Sequence, residues 1–141
     1  MTQRSDTLHG EVKFLKIVVL CVGVHSVVLG IIIYFFTGGF YRFLLGQPIA
    51  DPFFVRQSGI FLFLAGLFYL FPLRNIHIYH HLIILTIVSK VCAVVFLATN
   101  AHLTPSPPMI VLTAAGDGSM AIALSILYLL SLKRGLLTTV P

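Results

Sequence analysis

Four long apolar stretches, separated by short breaks rich in polar residues, glycine or proline, occupy nearly the whole chain and predict four helices. They cover about residues 14–36, 53–72, 78–98 and 109–132. Each reaches the ~20 helical residues that cross a hydrocarbon core of ~30 Å. Residues 1–12 read as a short polar cytoplasmic arm without fold signals and 135–141 as a cytoplasmic tail, leaving 13–134 as one transmembrane domain. The first stretch is too long for a signal-peptide core and has no small-x-small cleavage site after it, so it is expected to stay in the mature protein.

The breaks carry their own signals. Gly38 and Gly39 are expected to end the first span, and Phe40, Tyr41, Phe43, Leu44 and Leu45 surround Arg42 in a segment suited to lie flat among headgroups. Asp51 and Pro52 form a helix start, with Asp as cap and Pro in the first turn. Pro72, Arg74 and Asn75 predict a tight turn, and the Thr-Pro-Ser-Pro-Pro run from Thr104 a stiff spacer. In the fourth span Ala115, Ser119 and Ala123, and likewise Ala114 and Gly118, recur every four residues, which predicts that this helix is the centre of the packing.

Composition places the chain in lipid: 58% of its 141 residues are hydrophobic, only 9% are charged, and the mean hydropathy is +1.04. Soluble domains carry roughly a quarter charged residues. The net charge of +5 has a topological explanation and does not call for nucleic acid. Arg4, Lys13, Lys16, Arg74, Lys133 and Arg134 fall on one side if the spans alternate, whereas the other side holds Arg42, Asp51 and Arg56. That is the positive-inside pattern. The predicted fold is therefore an all-α polytopic membrane protein, an antiparallel four-helix bundle in a bacterial inner membrane with both termini cytoplasmic.

Cys21 and Cys92 lie toward opposite sides of the membrane, so they are read as separate buried thiols and not as a disulfide. His77, His80 and His81 share a helical spacing, but no Cys, Asp or Glu accompanies them. They are expected to be solvated at the membrane edge, with no metal. Cys21 and His25, four apart, likewise lack a third ligand.

The candidate chemistry lies in the polar residues inside the spans. Lys90 and Asp117 are the two charged residues that cannot easily reach water, and a charge at membrane depth marks a functional site by default. Counting along the predicted spans puts them at matching depths in the outer half, with His25 near that level and Arg56 and Gln57 just above. The expected ligand-binding set is thus Lys90, Asp117, Arg56, Gln57 and His25, forming an outward-facing polar pocket. Three possible cations against one carboxylate favour an anionic or carbonyl-bearing ligand over a metal. The bland alternatives are an ion pair that only orients two helices, an arginine that snorkels, and a core histidine.

An Arg-Gln-x-Gly opening to the second span (Arg56, Gln57, Gly59), a lysine in the third (Lys90) and a Gly-Asp-Gly in the fourth (Gly116, Asp117, Gly118) resemble the small DoxX-like membrane proteins of bacteria. The resemblance implies a membrane subunit working with a redox partner and quinone; it assigns no catalytic residue and no cofactor. Other four-helix families lack their marks here: there is no carboxylate in the first span, no C-x-x-C, and only Arg56 from the Glu and Arg pattern of glutathione-using enzymes.

Three functions follow. The first is a binding or accessory subunit whose polar pocket meets a quinone, a lipid, a small anionic ligand, a partner subunit or a second copy. The second is a small proton-coupled transporter in which Asp117 and Lys90 exchange partners, with Gly116 and Gly118 allowing local unwinding. The third is a membrane enzyme on a lipid-like substrate, for which no nucleophile is evident.

Overall fold

A computed structural model describes residues 2–103 and 108–137, and the regular structure among them is helical. The helices are α1 (Thr2–Phe35), α2 (Thr37–Leu45), α3 (Phe53–Leu70), α4 (Ile76–Tyr79), α5 (His81–Leu103) and α6 (Pro108–Lys133), with a 3-10 turn at Phe71–Leu73. Four of them contain segments long and apolar enough to cross a membrane: Val12–Phe35, Phe53–Leu73, His81–His102 and Pro108–Lys133. They form a four-span membrane helical bundle, as the hydrophobic pattern predicts. The proline-rich spacer lies outside the described residues except for Pro108, which opens α6.

Local chemistry sets the element ends. α1 starts well before the membrane segment, because no proline interrupts residues 2–12 and one glycine does not stop a helix. The arm without fold signals is thus the beginning of α1. Phe36 breaks the helix (φ −111°, ψ 31°), and Thr37 donates its hydroxyl back to the Ile33 carbonyl at 2.6 Å. The chain then re-enters a helix, so Gly38 and Gly39 belong to α2 instead of ending α1. Gly46 stops α2 in the left-handed region (φ 69°), its N–H reaching the Arg42 carbonyl at 2.8 Å. Asp51 accepts from the Phe53 N–H at 2.9 Å, and Asn75 from the N–H groups of His77 and Ile78 at 3.2 and 3.4 Å.

The closest helix approach is between α1 and α3. A Cβ built on Gly30 would lie 2.5 Å from the Phe63 nitrogen, and one on Gly66 2.7 Å from the Val27 nitrogen. Gly59 and Gly23 complete the seam, Gly59 against the Gly30 carbonyl and Gly23 against Leu70. Only glycine permits backbones this near. The small residues of α6 do not play this part: nothing lies within 4 Å of a Cβ on Gly116, and one on Gly118 would meet only Val94 at 3.7 Å. The packing centre expected in the fourth span is therefore displaced to the first and second, although α6 does pack on both α5 and α1.

The buried core sits toward one end. Leu15, Val19 and Val22 of α1 meet Tyr69 of α3, Ile76 of α4, Ile83 of α5, Leu124 and Tyr128 of α6, and Leu137. Elsewhere the outward surface is apolar, with Phe35 and Phe54 about seven-tenths exposed, as lipid-facing side chains are. Cys21 and Cys92 belong to that outer surface as free thiols; they are not buried. Both spans are apolar on every side, so neither cysteine carries a positional signal in the sequence.

Candidate functional site

Helix geometry brings Lys90 of α5 and Asp117 of α6 together. Lys90 donates from Nζ to Asp117 Oδ1 at 2.6 Å, and the two side chains are 5% and 13% exposed, so the pair is shielded from its surroundings. The pair is charge-assisted and short, which compensates both ions for the loss of water. α5 extends to Leu103 instead of ending near 98, so Lys90 lies 13 residues before the C-terminal end of its helix, farther than counting from the sequence placed it.

His25 of α1 lies close enough to interact electrostatically with both Lys90 and Asp117. Its side chain is exposed on the bundle, and its ring makes no hydrogen bond to another described residue. The next residue, Ser26, is fully buried, and its Oγ has no partner among the described residues. Cys21, one turn before His25, is also exposed. The α1 surface beside the ion pair therefore carries a thiol and an imidazole at membrane depth.

Arg56 and Gln57 lie elsewhere. They line a cleft of about 470 Å³ at the end of the bundle where α1 stops and α3 begins, together with Tyr34, Asp51, Pro52, Phe53 and Ile60. No residue of α5 or α6 contributes to it. Of the five residues expected to share one pocket, the structure thus groups Lys90, Asp117 and His25, and separates Arg56 and Gln57 from them. Depth along the helices was readable from sequence, but direction around each helix was not, because spans that are apolar all round give no facing signal.

A second polar cluster joins the α4–α5 junction to α6. His80 Nδ1 lies 3.1 Å from the Tyr128 hydroxyl, and its ring lies tilted against His81 with centroids 3.8 Å apart. His80 is only 7% exposed, whereas His81 is exposed and His77 has a buried Nδ1 with no partner among the described residues. The expected solvated trio is therefore split. The cause is the turn: Asn75 caps a four-residue helix that ends at Tyr79, and α5 starts anew at His81, so the three histidines do not share one continuous helix. Burial lowers the His80 pKa from the ordinary imidazole value, and the neighbouring His81 and His77 lower it further. Among the described residues no group of three potential ligands is arranged to hold a metal.

No protein-family description, curated protein or solved structure matches the chain.

Proposed function

We propose that this chain is a binding or accessory subunit of a larger assembly in a bacterial inner membrane, its spans alternating antiparallel and both termini cytoplasmic. The observation that carries this reading is His25, which is exposed at membrane depth beside the sealed Lys90–Asp117 pair. An ionisable ring facing hydrocarbon is costly, and such residues normally face protein or a water-filled cavity. A partner subunit covering the His25 and Cys21 face removes that cost. The resemblance to DoxX-like proteins adds the expectation that the assembly is redox- or quinone-linked.

Two features support the topology. Gly23 faces Leu70 and Gly66, while Gly30 faces Phe63 and Gly59, so the contacts run in opposite senses along α1 and α3. The core that gathers Leu15, Ile76 and Leu137 also brings the neighbourhoods of Lys13, Lys16, Arg74 and Lys133 to one end, as positive-inside alternation requires. The transporter reading has less support, because α6 runs without interruption through Gly116 and Gly118 and does not unwind beside Asp117.

The native thiol provides the test. In intact membranes and a Cys92→Ser background, a maleimide carrying a photoreactive group should join Cys21 to a second polypeptide, and adding Cys21→Ser should abolish the product. Native mass spectrometry of gently solubilised protein identifies the species attached. A monomer without associated protein, whose Cys21 reacts freely in the membrane without forming any crosslink, would overturn the proposal.

A further inference from the structure

The seam between α1 and α3 is open as well as close. Where Gly30 and Gly59 bring the backbones together, the larger side chains of Ile31, Tyr34, Ile60 and Phe63 stand to either side of a wholly apolar groove of about 180 Å³. This groove shares Tyr34 and Ile60 with the larger cleft that holds Arg56, Gln57 and Asp51. The two adjoin at these side chains. An apolar trough on the side of the bundle leads to a polar mouth at its end.

The mouth carries both signs of charge without joining them. Among the described residues Arg56 and Asp51 form no ion pair with each other or with any other side chain. The known bond of Asp51 is from the Phe53 N–H to Oδ1, which leaves its second oxygen and its charge available. Tyr34 adds an amphipathic ring to this mouth, of the kind that settles at the headgroup boundary.

We infer that this groove and the adjoining mouth together bind a zwitterionic phospholipid bearing a primary ammonium, one acyl chain lying along the α1–α3 seam. The guanidinium of Arg56 takes the phosphate through charge-assisted hydrogen bonds, with Gln57 as an additional donor. The Asp51 carboxylate takes the headgroup ammonium. A net anionic headgroup satisfies Arg56 but meets the like charge of Asp51, so the site discriminates by its acid as well as by its base. The site is separate from the His25 face and stands independently of a partner there.

The full-length protein reconstituted in vesicles containing equal phosphatidylethanolamine and phosphatidylglycerol, then ejected for native mass spectrometry, provides the test. Wild-type protein is expected to retain phosphatidylethanolamine over phosphatidylglycerol. Arg56→Gln should lower retained lipid roughly tenfold or more, the range for one charge-assisted hydrogen bond, and Arg56→Lys should restore part of it. Asp51→Asn keeps an oxygen for the Phe53 cap but removes the charge, so it should lower phosphatidylethanolamine retention and raise that of phosphatidylglycerol, erasing the preference between the two lipids. This variant carries the test even if Arg56→Gln fails to fold. Arg42→Gln, an exposed cation outside the groove, should behave as wild type. Equal retention of both lipids by wild type, an unchanged preference in Asp51→Asn, or the same loss from Arg42→Gln as from Arg56→Gln would each overturn the assignment.

Discussion

Lys90 and Asp117, 27 residues apart in the chain, meet across the α5–α6 interface in a 2.6 Å hydrogen-bonded ion pair. Removing one partner of such a buried pair strands the other charge, at a cost of about 3–5 kcal/mol. Asp117→Ala or Lys90→Ala is expected to destabilise the bundle by that amount in detergent-induced unfolding. The exchange Lys90→Asp with Asp117→Lys should recover most of it. If the exchanged protein folds but loses the Cys21 crosslink, the pair contributes to recognition as well as to helix orientation.

The glycines of the α1–α3 seam predict an asymmetry. Gly30→Ala and Gly66→Ala force backbones apart and should each cost about 1–3 kcal/mol, the usual range for overpacking. Gly116→Ala meets open space inside a helix and should stabilise by about 1 kcal/mol through helix propensity alone. Unfolding midpoints of the three variants check both signs together. Equal losses at all three positions would contradict the packing described.

Ser26 presents the opposite case. Its buried Oγ has no partner, and an unsatisfied buried hydroxyl costs about 1–3 kcal/mol. Ser26→Ala is accordingly expected to raise stability by about 1 kcal/mol in the isolated chain. A loss of stability would instead reveal that a water or a bound group satisfies this oxygen.

The His80 cluster predicts a pH dependence. Because burial and the neighbouring His81 and His77 lower the His80 pKa in the folded state, the unfolded chain takes up this proton first as the medium is acidified. Stability is therefore full above the ordinary histidine value of about 6.5 and declines as pH falls below it, until the folded-state pKa is passed. His80→Gln should flatten this decline in unfolding measured between neutral and mildly acidic pH. Tyr128→Phe, which removes the hydroxyl facing Nδ1, should cost about 1 kcal/mol at neutral pH. An unchanged acid slope in His80→Gln would show that the decline originates elsewhere.

The four spans were legible because apolar length is a strong signal when the solvent is lipid, and the Lys90–Asp117 meeting was legible because depth can be counted along helices. Rotation around each helix was not. Arg56 and Gln57 open their own cleft beside Asp51, whereas His25 lies near the ion pair, and uniform hydrophobicity gives no indication of either. The glycine seam did leave a trace: Gly23 and Gly30 are separated by seven residues, as are Gly59 and Gly66, the same two-turn interval on two spans. The four-residue spacing in α6 marks no such seam, because small residues form a close contact only when a partner has matching gaps. The inward turn of His80 depended on the Asn75 cap and the short α4, a local geometry that spacing alone does not convey.

The Lys90–Asp117 bond also constrains how the chain enters a membrane during synthesis. α5 emerges carrying an unpaired cation, and its neutralising carboxylate is still 27 residues behind. A lone lysine at the centre of a span opposes release into lipid by about 2.5–3.5 kcal/mol, so α5 gains by waiting at the insertion machinery until α6 arrives. α1 and α3 carry no formally charged residue at mid-span and can close their glycine seam first. The C-terminal pair of spans then partitions into the bilayer as one electrically matched unit.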